Sequence, residues 1–272
     1  MSLTGSTSTV TLEDGTTAFR KALSGAPEGF FAFEAAGLQN LRELGARVPR
    51  VYEVTHEHLI IEFVRAQTAE RIDVPEYTFG QELAQLHLAG RAAADSEQRF
   101  GSLAGLTRGY LGGAEIDLRP APTLYESLVV NRIIPLTSQA IATGQLDDRA
   151  LAMAEAITPE HLGPVEPPTV VHGDLWAGNR MVDASGASWL IDPSCHWGHR
   201  EQDIAMMQLF GGFGPAVLDG YNTVFPLAAG WRDRIPVFQL VPLLVHVLLF
   251  GGGYAGATLR ALEQTLEIPP SS

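Results

Sequence analysis

The chain has 272 residues, 46% of them hydrophobic, which is enough to bury a core in one large domain or two modest lobes. A formal net charge of −13 and a pI near 5.0 oppose the basic footprint of a protein that grips nucleic acid or an anionic membrane, and suit a neutral or cationic small-molecule partner. Cys195 is the only cysteine, so no intrachain disulfide can form, and the opening MSLTGSTSTV has neither the positive start nor the apolar core of a secretory signal; a cytoplasmic protein is expected, its oligomeric state left open.

In chain order, residues 9–12 alternate as a strand, Asp14-Gly15 is a hairpin signal, and residues 16–22 form the returning strand. After Gly25-Ala26-Pro27, the residues Phe31, Leu38, Leu41 and Leu44 recur near helical spacing, with Gly45 as the stop. Two strands follow, 50–55 and 58–64, joined at His56-Glu57, so the first elements run β-β-α-β-β. The composition shifts near residues 65–77. From Thr78 the pattern is helical: Phe79, Leu83, Leu86 and His87 share a face, and 124–141 predicts a longer helix that Pro135 would kink. Short strands return at 169–172, 180–182 and 189–192, and helices resume from Glu201. The most apolar run, VFQLVPLLVHVLLF at 237–250, falls short of the roughly 18 to 20 residues needed to span a bilayer and predicts a buried helix.

The chemistry concentrates in V-V-H-G-D-L-W-A-G-N. Asp174 stands two residues after His172 and five before Asn179, the spacing of a kinase catalytic loop, H-x-D-x-x-x-x-N. Asp192 follows thirteen residues beyond Asn179, after the strand-like S-W-L-I, where kinases place a second metal-holding aspartate. A carboxylate at Asp174 would orient an attacking hydroxyl and accept its proton, while the Asn179 amide and the Asp192 carboxylate would offer oxygens to Mg²⁺. Taken singly, each residue could equally be a turn, a cap or an exposed strand end.

The N-terminal half supplies partners for ATP. Lys21 on the second strand and Glu34 on the next helix occupy the places of a phosphate-binding lysine and the glutamate that holds it. The segment L-T-G-S-T-S-T-V has a single glycine to cover phosphates. Glu62, Phe63 and Val64, where the last strand leaves toward the helical half, form either the adenine-contacting hinge or an ordinary strand end.

H-G-D-L-W-A-G-N resembles the H-G-D-L-W-x-G-N of fructosamine kinases, or ketosamine-3-kinases, within the aminoglycoside phosphotransferase and choline kinase fold group. The likeness extends to I-D-P-S-C-H-W-G-H-R-E-Q-D-I-A at 191–205, L-F-G-G-F at 209–213, Y-N-T-V-F-P-L at 221–227 and L-L-V-H-V-L-L-F-G-G-G-Y at 243–254. It implies a protein-kinase-like α+β fold, with a β-rich nucleotide-binding N-lobe at 1–65 and a mainly helical C-lobe at 66–272. It also implies ATP-dependent phosphorylation of the 3-hydroxyl of a ketosamine, a sugar joined to an amine. An aminoglycoside or amino-alcohol phosphotransferase of the same fold is the alternative, and a non-catalytic pseudokinase a more distant one. The sequence departs from the family in its glycine-poor N-terminus, in lacking a loop cysteine that links some members into redox-sensitive dimers, and in carrying Leu248 where many members have Asn.

Trp176 could stack on a sugar or attract its ammonium. His199 and Glu201 could line the sugar pocket or simply open the helix bearing Asp203, which is expected to brace the catalytic loop. Cys195 reads as a small buried hydrophobe, and His87 and His246 as structural histidines.

Overall fold

The computed structural model describes residues 5–66, 76–95 and 97–268. Most of the expected composition shift at 65–77, and the first residues of the serine- and threonine-rich segment, lie outside the described residues. Strand β1 (Gly5–Thr11) and strand β2 (Thr17–Leu23) form an antiparallel hairpin around Asp14-Gly15. The strand expected at 9–12 begins earlier, at Gly5, its register fixed by pairing from Gly5 opposite Leu23 to Thr11 opposite Thr17. Helix α1 (Phe30–Glu43) follows and stops as expected, the N–H groups of Gly45 and Ala46 closing on the carbonyls of Arg42 and Leu41. Strands β3 (Val51–Val54) and β4 (His58–Glu62) complete a four-stranded antiparallel sheet in the order β1-β2-β4-β3.

The rest is mainly helical. Helix α2 (Glu76–Ala93) buries Phe79, Leu83, Leu86 and His87 on one face, the face its spacing predicts. A hairpin not anticipated from sequence, β5 (Arg108–Leu111) and β6 (Ala114–Asp117), turns on Gly112-Gly113. The expected long helix at 124–141 is present as one unbroken helical run over 124–142, in which Glu126–Ile133 wind as a wider π-helix that continues directly into α3 (Ile134–Ala142). Pro135 stands at the junction, the second residue of α3 just past the π segment. Helix α4 (Arg149–Glu155) leads to short strands β7 (Thr169–Val171), β8 (Arg180–Val182), β9 (Ser188–Leu190) and β10 (His196–Gly198). The expected strand at 189–192 thus ends at Leu190 and leaves Asp192 beyond it.

Helices α5 (Glu201–Leu209), α6 (Pro215–Val224), α7 (Ile235–Phe250) and α8 (Ala255–Leu266) close the chain. Helices α2 and α6 touch backbone to backbone: a methyl on Gly80 would strike the Val217 carbonyl, and one on Gly220 the Tyr77 carbonyl. Two cores result. One joins Leu38, Leu41 and Leu59 to Leu83, Val170, Leu175, Ile204 and Tyr221, so it ties the sheet to the segment around β7. The other packs the π-helix, α3, α4 and α8 around α7. Among the described residues no helix is long and apolar enough to cross a membrane.

Candidate active site

Neighbouring groups hold the backbone of the loop after β7. Gly173 sits at φ +81°, and a side chain there would collide with the Ser194 carbonyl, so the position admits glycine alone. Its N–H and that of His172 both donate to the Asp203 carboxylate at 2.8 Å, one to each oxygen. Behind Asp203, His87 Nε2 lies 3.1 Å from Oδ2, and His87 Nδ1 lies 2.8 Å from the Tyr221 hydroxyl. Burial raises the Asp203 carboxyl, but the His87 bond, the nearby His172 and the loop amide outweigh it and hold the pKa below its ordinary value. Asp203 therefore remains an anion that fastens the loop, as its position in the sequence led us to expect. His172 adds a second tie: its Nε2 donates to the Ile191 carbonyl at 3.0 Å and its Nδ1 accepts the Asp174 N–H at 3.3 Å. Burial holds the pKa of that ring below its ordinary value.

The loop brings Asp174, Asn179 and Asp192 together with the distant pair from the sheet. Asn179 Nδ2 donates to the Asp174 main-chain oxygen at 2.8 Å and to Asp174 Oδ2 at 3.1 Å. Lys21, from β2, lies 2.6 Å from Glu34 Oε1 on α1 and 2.5 Å from Asp192 Oδ1. Burial disfavours the Lys21 ammonium, yet Glu34 and Asp192 more than compensate and raise its pKa. Burial raises the Glu34 carboxyl, and Lys21 offsets that only in part. Asp192 holds a left-handed backbone at φ +54°, unusual for a residue other than glycine, which turns its carboxylate back toward Lys21. Burial pushes Asp174 up to about 7, a rise that the Asn179 hydrogen bond offsets only in part and that Asp192 and Asp203 reinforce. A carboxylate poised near neutrality in a cleft has the basicity of a catalytic base.

Two cavities of about 500 Å³ each meet at Asp174 and Trp176. The first holds Lys21, Glu34, Asn179 and Asp192, with Ser6 and Thr7 of β1 above. The second, toward α7, is walled by Phe210, His246, Phe250 and Tyr254. Sequence reasoning treated His246 as a core residue; the structure puts it at a cavity wall, 4.9 to 5.3 Å from the rings of Phe210, Phe250 and Tyr254. His246 and Phe250, four residues apart, share a face of α7, and Tyr254 joins them from beyond the helix end at Gly251.

Three expected contacts are not brought to these cavities. Glu62 accepts the Arg50 N–H at 3.1 Å, and with Phe63 and Val64 it borders a separate hollow shared with Asp183 and Trp189. His199 is buried, stacked on Phe238 with ring centres 5.2 Å apart. Glu201 accepts two hydrogen bonds from Arg234, at 2.6 and 2.9 Å. Both His199 and Glu201 thus lie in the packed support beneath the loop. Cys195 is buried, and burial raises its thiol pKa, so it is the inert hydrophobe expected.

The family model described as fructosamine kinase matches residues 6–268. The chain is 35% identical over 237 residues to a probable ketoamine kinase of Thermus thermophilus, covering 87% of this chain and 83% of that protein. A local match to a probable ketoamine kinase of Enterococcus faecium reaches 51% identity over 96 residues, 35% of the length of each. Among solved structures, a fructosamine-3-kinase candidate from Thermobifida fusca superposes with a TM-score of 0.85 at 39% identity, over 96% of this chain and 89% of that one. The aminoglycoside phosphotransferase APH(4)-Ia superposes at a TM-score of 0.60 and 15% identity, over 96% of this chain and 90% of that one, a likeness of fold alone.

Proposed function

The chain belongs to the fructosamine kinase family, and from that membership we propose how its own residues divide the work of phosphorylating a ketosamine. It is a small-molecule kinase, with ATP as phosphoryl donor and a ketosamine hydroxyl as acceptor. The observation that carries the assignment of roles is Asp174, whose carboxyl is raised to about 7 and which lies between an oxygen-rich cavity that holds Lys21 and an aromatic one. We place the triphosphate in the first, against Lys21 held by Glu34, and the acceptor sugar in the second, with Trp176 against its face. Asp174 then orients the attacking hydroxyl and takes its proton as the bond to phosphorus forms.

The residues present suit Mg²⁺. Asn179 spends its amide nitrogen on Asp174, which leaves its oxygen for a cation, and Asp192 adds a carboxylate. Among the described residues no cluster of three His, Cys, Asp or Glu could hold a metal alone, so phosphate oxygens and water would supply the remaining ligands. Bound there, the cation would neutralise charge on the transferring phosphoryl group. Asp192→Asn therefore keeps the fold but weakens Mg-ATP binding and removes most of its Mg²⁺ dependence. Calorimetry that finds Mg-ATP affinity unchanged in this variant would take Asp192 out of the metal's ligands.

For the base of ATP, β4 offers a route. Ala18 pairs with Glu62 three residues along β2 from Lys21, roughly 10 Å at strand rise, a span that a nucleotide covers from phosphate to adenine. We assign Glu62, Phe63 and Val64 to that end, set the lobe boundary between residues 65 and 66, and expect a cytoplasmic enzyme, where ATP is plentiful. His199 and Glu201 we assign to support. The test of function is ADP release with Mg-ATP across ribulose- and fructose-lysine adducts, kanamycin and choline. The ketosamines should give the highest kcat/KM; a better aminoglycoside would reverse the substrate assignment.

A further inference from the structure

We propose that the aromatic cavity selects ketosamines whose amine carries an apolar substituent with no carboxylate beside the nitrogen, an inference that rests on the kinase reading above. The cavity shares Asp174 and Trp176 with the phosphate side, so a sugar hydroxyl placed at Asp174 directs the rest of the acceptor toward α7. What awaits it there is apolar surface left open to solvent. Trp176, Phe210, Leu249 and Phe250 are 40, 42, 39 and 66% exposed, and all four line this one cavity. Large apolar groups gathered at one opening mark a place where something apolar binds.

The polar inventory sharpens the choice. Among the described residues lining the cavity, Asp174 is the one carboxylate and there is no Lys or Arg. His246 commits its Nδ1 to the Pro242 carbonyl at 2.7 Å and presents its ring to its aromatic neighbours. The secondary ammonium of a ketosamine is well received, by Asp174 and by the faces of the surrounding rings. A carboxylate one carbon from that nitrogen would be stripped of water beside Asp174 with no Lys or Arg among the described lining residues to meet it, which burial penalises. An alkyl or aryl substituent instead covers the exposed rings and Leu249.

The experiment compares kcat/KM for two adducts of one sugar, N-ribulosyl-benzylamine and N-ribulosyl-glycine, by ADP release with Mg-ATP. The benzylamine adduct should lead by about tenfold or more, the range an apolar pocket commands. Phe250→Ala removes a ring that stands mostly in solvent, so the fold survives, and it should narrow the ratio by raising KM for the benzylamine adduct. Leu249→Arg brings a cation to the rim and should raise kcat/KM for the glycine adduct severalfold, by up to about 1 kcal/mol of exposed ion pairing. A glycine adduct equal to or better than the benzylamine adduct overturns the proposal while the ketosamine kinase reading stands. A ratio that neither substitution moves does the same. Failure of both adducts to stimulate ADP release overturns the two together.

Discussion

Asp174→Asn should lower kcat by about 10²- to 10⁴-fold, the usual worth of a positioned general base. Asn keeps the size of the side chain and a hydrogen bond to Asn179, but it cannot take a proton from the acceptor hydroxyl. The loose transition state of phosphoryl transfer asks little of a base early in the reaction, so a loss near the lower end of that range is still in keeping with the role. The pH profile gives the assignment a second readout. Asp174 must be ionised to act, so kcat/KM of the native enzyme should climb with pH along a limb centred near the raised value of about 7. The variant should lack that limb. Stability follows the same proton with the opposite sign. The folded carboxyl titrates at about 7 against an ordinary 3.8, so the folded state holds the extra proton between those values and stability falls as pH rises through the window. Asn has no such charge to bury, and Asp174→Asn should be at least as resistant to urea as the native protein at pH 8. A variant that folds and keeps most of its kcat, with the pH limb intact, would show that another group is the base.

Arg234→Met should cost about 3 to 5 kcal/mol of stability, the usual consequence of stranding one partner of a buried ion pair. Arg234 and Glu201 are 5 and 2% exposed, and the guanidinium meets both carboxylate oxygens. Burial already raises the Glu201 carboxyl even with Arg234 bonded to it. Without the guanidinium the rise grows, and Glu201 keeps its proton in the folded state to higher pH. An acid whose folded pKa lies above its unfolded one loses stability as pH rises between them, so the gap between variant and native protein should widen from acid toward neutral pH. Urea titrations at pH 5 and pH 8 measure both effects. The double variant Glu201→Leu with Arg234→Met should recover much of the loss, because no charge is then left buried. In the folded protein, KM for the ketosamine should change little, as befits a pair packed beneath the catalytic loop. A stable Arg234→Met with a KM raised tenfold would place Glu201 at the sugar instead.

These two residues show how unevenly the site was written in the sequence. Asp174, Asn179 and Asp192 were legible because the first two share one short loop and the third follows just past the β8–β9 hairpin, so intervals of five and thirteen residues nearly dictate their meeting. Lys21 and Glu34 were legible as positions on consecutive elements, though their meeting with Asp192, far along the chain, depends on the sheet docking against the loop. Glu201 was misplaced for a physical reason: a carboxylate at a helix start two residues before Asp203 reads alike whether it faces a sugar or a buried arginine. Only the arrival of Arg234 from the turn before α7 decides between them. The same holds for His199, whose ring lies flat on Phe238 of α7.

What the sequence determined by itself was local: the first hairpin at Asp14-Gly15, the helix faces of α1 and α2, the catalytic loop spacing and the family likeness. All of these are carried by backbone propensity, periodicity and short intervals. The tertiary structure decided which side chains face the opening. It set His246 among exposed rings, turned the β5–β6 hairpin so that Gly112 borders both cavities, and buried His199 and Glu201. The reason is that a helix as apolar all round as α7 carries no stripe to announce its solvent side. Which of its faces is core and which is pocket is fixed by the elements that arrive against it, α3, α5 and α8, and by the place where none of them does.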